Sequence, residues 1–303
     1  MRLPSPPLVS TLNGTAAAVS KGVNFGAGGG GGGVFRVGAA VGQQVRVAAE
    51  TLQLMQLEMA EEDSAAAVFV LSFGADAYAR LLARGPAAAN AAPKHGRRGL
   101  GRILADRIVR SVSELYEAGV RRVAVMGVAP LGCAPRVMWE GMRVLVMKSN
   151  NNNGGSRSSC VEEANELIQG YNARLVAGLD ELRTRLPDAD IVFCDVYKGV
   201  MEIIATPTRY DFTMRLCCLL LCVGFEEATE ACCGLGPFKA SMGCFSKEMA
   251  CRSPERHVWW DLYSPTEAVD ALVTNWSWSL SPGSQLSICS PIALHQLAGS
   301  SSP

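Results

Sequence analysis

Short apolar runs alternate with long amphipathic stripes along this chain, and that alternation limits its possible folds more than any other feature. Val41, Val45, Ala48, Leu52, Met55 and Met59 recur at helical spacing, as do Leu100, Leu104, Ile108, Val112 and Leu115, a second stripe that ends near Gly119. A third stripe runs through Val161, Ala164, Ile168, Tyr171, Leu175, Leu179, Leu182 and Leu186, and Pro187 stops it. Between the stripes lie strand-like runs at Ala65 to Phe73, Arg122 to Val128 and Asp190 to Asp195. Strands separated by helices of this length predict βαβ units, and hence an α/β fold with a parallel, doubly wound sheet.

Composition agrees with a packed core. Of 303 residues, 49% are hydrophobic and 18% charged, which excludes global disorder. The 28 Lys and Arg balance 28 Asp and Glu, so the charge total gives no footprint for nucleic acid or an anionic membrane. The longest apolar stretch of the second half, Leu216 to Val223, falls far short of the ~20 residues of a membrane span. Eleven cysteines lean towards an oxidising, secretory compartment. The N-terminus pulls the other way, because Pro4, Pro6 and Pro7 break any signal-peptide apolar region. Three segments interrupt the pattern: the unbroken glycine run Gly28 to Gly33, a polar low-complexity insert over 149–159 and an apolar, cysteine-rich insert over 213–223.

Several ordered blocks resemble the plant GDSL esterase/lipase family of the SGNH hydrolase superfamily. They include GVNFGAGG from Gly22, LYEAGVRR from Leu115 and GVAPLGCAP from Gly127. Cys160 to Asn165, Tyr171-Asn172, Ala231 to Gly234, WDLYSPTEA from Trp260 and the tail from Cys289 to Leu294 follow in the same order. Together they cover about 16–298, and the chain is read as a single SGNH hydrolase-like domain over 1–303. The resemblance implies a three-layer αβα fold, hydrolysis of carboxylic esters with a small acyl ester as substrate, and a secreted, extracellular location. It implies no cofactor and no metal, and no partner protein can be inferred. Cys133, Cys160, Cys233, Cys244 and Cys251 lie in family-like segments and are expected in disulfides; their spacing fits no zinc site.

The resemblance also exposes losses. The family's nucleophile is the serine of a Gly-Asp-Ser block, which occurs nowhere in these residues. The sequence reads as starting after that block, so the fold is expected to lack its first strand. Ser5, Ser10 and Ser20 have the right atom but read as surface or turn serines. Gly29 matches the oxyanion-hole glycine, within a six-glycine run that reads equally as a flexible loop. Asp76 stands where the family has the oxyanion asparagine, replacing an N–H donor with an acceptor. Asp261 matches the family's acid, while Ser264 replaces its histidine. Ser264-Pro265-Thr266-Glu267 reads as a capping box with proline at the first helical position. His257, four residues before Asp261, is the nearest histidine and reads as a surface residue. The expectation is a family hydrolase without turnover; the alternative is a non-catalytic binding protein with an acyl- or glycan-binding cleft.

Overall fold

A computed structural model describes residues 5–12, 22–26, 37–58, 67–83, 96–148, 160–209, 224–278 and 286–299. Gly29, Ser20, His95, both inserts and Cys217, Cys218 and Cys222 lie outside them. In chain order the elements are α1 (Val37–Glu58), β1 (Val68–Ser72), α2 (Ala75–Leu82), α3 (Gly96–Glu117) and β2 (Arg122–Met126). There follow α4 (Pro135–Lys148), α5 (Glu162–Arg185), β3 (Asp190–Cys194) and α6 (Val196–Ala205). The last are β4 (Glu227–Ala231), β5 (His257–Trp259), α7 (Glu267–Trp278), β6 (Cys289–Ser290) and α8 (Leu294–Gly299).

The main sheet has the order β1-β2-β3-β6. β1, β2 and β3 are parallel and in simple register, Val68 opposite Arg122 and Arg122 opposite Asp190. β6 closes the sheet antiparallel to β3, with Cys289 opposite Cys194. Successive strand residues point to opposite faces. Val123, Ala124 and Val125 are nevertheless all buried, as are Ile191, Val192 and Phe193, so both faces of the central strands are covered. That is the αβα sandwich the alternating pattern predicts. α3 and α5 pack on each other through Leu104, Ile108, Ile168 and Leu175, and α1 packs beside α3. α6, α7 and α8 form the other helical group, with α8 against β2 and β3.

Three stripes and three strands of the sequence reading therefore stand as elements, with trimmed ends. Of the 65–73 run, Val68–Ser72 is strand and residues 65 and 66 lie outside the described ones; the 122–128 run contracts to Arg122–Met126, because the following residues leave the ladder to form a loop. β4 and β5 form a separate, two-stranded parallel sheet that no periodicity announced. Four disulfides join described residues: Cys133–Cys160, Cys194–Cys289, Cys232–Cys251 and Cys233–Cys244. All five cysteines expected in disulfides are in them, with Cys194, Cys232 and Cys289 in addition.

Candidate functional site

The loops that leave the C-terminal ends of β1 and β2 are held by side chains from α5. After Ser72 the chain turns through Gly74 at φ 107° and enters α2. A Cβ at Gly74 would lie 3.1 Å from both the Tyr171 hydroxyl and Val128 Cγ2, so glycine meets a conformational and a steric demand here. The Tyr171 hydroxyl donates to the Phe73 carbonyl at 3.3 Å, and the Tyr78 ring lies 5.6 Å from that of Tyr171. Burial pushes both phenols above their ordinary pKa, so they stay neutral. Asp76 is exposed in the first turn of α2, where a carboxylate complements the helix dipole.

Two asparagines clamp the loop after β2. Asn172 accepts from Val128 N–H and donates to the Val128 carbonyl, both at 3.0 Å. Asn165 accepts from Gly132 N–H at 2.9 Å, and Cys133–Cys160 ties the same loop to the start of α5. Neither periodicity nor the family resemblance assigns these asparagines a role. A signal existed: they share the buried face of α5 with Ile168, Leu175 and Leu179, and a buried amide must be hydrogen-bonded.

The third component is the segment between β5 and α7. Asp261 Oδ1 accepts from the backbone N–H of Tyr263 at 3.0 Å and of Ser264 at 2.8 Å, closing a tight Asx turn. Ser264 is exposed, and its carbonyl accepts from Trp260 N–H at 2.8 Å. Burial pushes the Tyr263 phenol up to about 12. The expected capping box is not formed. α7 begins at Glu267, and its first backbone bond runs from Asp270 N–H to the Thr266 carbonyl. Pro265 instead bridges Trp259, and the Thr266 hydroxyl donates to the His257 carbonyl at 2.7 Å. The short β5 ladder thus draws in residues that the motif would have placed in the helix.

Arg136 N–H donates to the Leu262 carbonyl at 3.2 Å, bringing the Asp261 turn to the end of the β2 loop. α2, which carries Asp76, touches the 131–133 turn of that loop. The Asp261 and Asp76 positions therefore flank one loop at the C-terminal end of the parallel strands, where ligands of open α/β sheets bind. His257 belongs to β5, with Nδ1 3.4 Å from the Glu230 carbonyl. Ser5 and Ser10 are exposed in the N-terminal segment. Among the described residues no group of three or more His, Cys, Asp or Glu could hold a metal, and no helix is long and apolar enough to cross a membrane.

A cleft of about 280 Å³ runs alongside β1. Val23, Phe25, Val45, Phe69, Leu71 and Leu115 supply much of its wall, and Pro6 also lines it. The Leu8 segment pairs with Asn24 through a single parallel bridge.

The family model for GDSL-like Lipase/Acylhydrolase matches residues 3–276. The chain belongs to that family. Among curated plant relatives, it is 31% identical over 166 residues to GDSL esterase/lipase EXL3 of Arabidopsis thaliana, covering 54% of this chain and 39% of that protein. It is 30% identical over 173 residues to GDSL esterase/lipase At2g30220 of the same plant, covering 54% and 42%. GDSL esterase/lipase 7 is 27% identical over 202 residues, covering 65% and 48%. The matched region spans under half the length of each of these relatives.

Proposed function

We propose that this chain carries the scaffold of a carboxylic ester hydrolase but does not turn esters over. The observation that carries the reading is the Asp261 turn. Asp261 stands at the position of the family's acid, yet its Oδ1 serves two backbone N–H groups, and the residue three further on is serine. A serine hydroxyl cannot take a proton from a nucleophile at neutral pH. Asp76 adds a second obstacle. At the oxyanion position its carboxylate presents acceptors and negative charge to a developing anion. Loss of one oxyanion donor costs about 3–4 kcal/mol in other hydrolases, and the catalysis left after loss of triad members depends on that hole. No Gly-Asp-Ser occurs in these 303 residues, and Gly29 remains the candidate for the oxyanion glycine.

Non-catalytic binding of an acyl group is the second reading, favoured by the apolar cleft beside β1. Four disulfides favour a secretory compartment for either. The test is hydrolysis of p-nitrophenyl butyrate. Purified protein should release nitrophenol at the solvent rate, and Ser264→His alone should not change this. Turnover well above solvent that a serine-reactive organophosphate abolishes would overturn the proposal.

A further inference from the structure

The chain between Cys232 and Cys251 forms a lobe fastened twice, by Cys232–Cys251 and Cys233–Cys244. Within it Leu235 and Met242 exchange backbone hydrogen bonds at 3.1 and 3.3 Å. Residues paired in this way project to the same face of a hairpin. Lys239 N–H donates to the Gly236 carbonyl across a turn with Phe238 at φ 55° and Lys239 at φ 49°. Gly234 permits the turn's close return, since a Cβ there would lie 2.0 Å from the Lys239 carbonyl oxygen.

One side of the lobe is occupied. Arg136 donates to the carbonyls of Ala240 and Ser241, and Cys233 N–H to the Trp260 carbonyl. Large apolar side chains of the lobe are left in water: Leu235 is 50% exposed, Met242 51% and Phe245 78%. The Cys233–Cys244 bond brings Phe245 to the foot of the hairpin that carries the other two. Two disulfides hold the backbone of the lobe that carries them. The lobe's own charges are one-sided. Residues 232–252 contain Lys239, Lys247 and Arg252 against Glu248 alone, in a chain whose total charge is zero. None of the three cations forms an ion pair among the described residues. The balanced total conceals a local positive excess.

We infer that this lobe docks the protein on an anionic lipid surface. Phe245, Met242 and Leu235 enter the boundary between headgroups and acyl chains, and Lys239, Lys247 and Arg252 face the anionic headgroups. A rigid apolar projection flanked by cations matches the chemistry of such an interface, which rewards apolar burial and positive charge together. The lobe adjoins the Trp260–Leu262 segment, so docking would set the candidate site beside the lipid. The inference does not depend on whether the site hydrolyses esters.

The test is flotation of the full, oxidised chain with vesicles of phosphatidylcholine, or of phosphatidylcholine and phosphatidylglycerol in equal parts. Binding should favour the anionic vesicles and weaken with added salt. Phe245→Ser should lower the partition coefficient about 10-fold. Lys247→Glu with Arg252→Glu should lower it at least ~25-fold, about five-fold for each cation lost. Leu57→Ser removes an 82% exposed leucine on α1, remote in sequence from the lobe, and should leave binding unchanged. An unchanged free-thiol count in each variant shows that the lobe stays closed. Equal binding to neutral vesicles, equal binding by the lobe variants, or an equal loss with Leu57→Ser would overturn the proposal. So would a dimer in sedimentation that Phe245→Ser dissolves without any vesicle binding, which would assign the patch to a second copy of the chain.

Discussion

At one end of the main sheet, β1 leaves Val68 36% and Val70 60% exposed, and no described strand hydrogen-bonds to its outer edge. At the other end, β3 is buried over four of its five residues and is joined to β6 by Cys194–Cys289. The local sequences barely differ. Val68–Ser72 is VFVLS and Asp190–Cys194 is DIVFC, each an apolar run that would suit a strand covered on both faces. What differs is the surroundings. The first 132 residues contain no cysteine, while all four described disulfides lie between Cys133 and Cys289. The lesson is that an apolar strand is stabilised by its neighbours and cross-links as much as by its composition, and that an uncovered edge invites foreign pairing.

The comparison is broken most severely at its fastened end. Replacing Cys194 and Cys289 together with alanine frees a loop with a sequence separation of 95 residues, and should cost about 4–5 kcal/mol on the chain-entropy estimate. Urea unfolding of the double variant measures it. A loss below ~1 kcal/mol would mean that the sheet holds that end without the cross-link.

Side-chain truncation sharpens the contrast at smaller cost. Ile191 is 2% exposed in β3, and Ile191→Ala should destabilise by about 2–5 kcal/mol. Val70→Ala, at an exposed position of β1, should stay within ~0.5 kcal/mol. Hydrogen exchange should follow the same order, with β1 amides exchanging well before those of β2 and β3. Equal protection of β1 would show that its outer edge is covered in solution.

The smallest effect is electrostatic and belongs to β4. Burial pushes the Glu227 carboxyl up. Hydrogen bonds from the Thr229 hydroxyl and the N–H groups of Glu230 and Thr229, with His257 nearby, outweigh it and hold the group below its ordinary pKa. A depressed carboxyl stabilises the fold above its unfolded pKa, and that contribution is lost as pH falls through the folded value. Glu227→Gln should therefore flatten the stability profile between about pH 5 and 3, by less than ~1 kcal/mol because the group is partly solvated. Urea midpoints compared at pH 7 and pH 3.5 would test this, and a wild-type-like acid slope in the variant would refute it.

Much of the scaffold was legible before any coordinates. The stripes of α1, α3 and α5 and the runs of β1, β2 and β3 carry their periods openly, because a buried face repeats every 3.6 or 2 residues. The site was legible only as an expectation from resemblance: a motif proposes roles for Asp261 and Ser264, but it does not say which hydrogen bonds Asp261 makes. The capping box failed for a related reason. Its residues suit a helix start, yet the Ser264 carbonyl accepts from Trp260 N–H, and Thr266 donates to the Val258 and His257 carbonyls, up to nine residues away. Local propensity lost to a strand that no period advertised.

Sequence by itself determined the alternation of the long helices α1, α3 and α5 with the strands β1, β2 and β3, and the GDSL family. These follow from short-range pattern and residue type, which are written along the chain. Tertiary structure alone decided that VFVLS would lie at an edge to which no described strand bonds, that Asn165 and Asn172 would clamp the β2 loop, and how the described cysteines would pair. It also paired Leu235 with Met242 and left both, with Phe245, exposed. Burial, register and cross-linking are relations between segments far apart in the chain, so no single segment contains them.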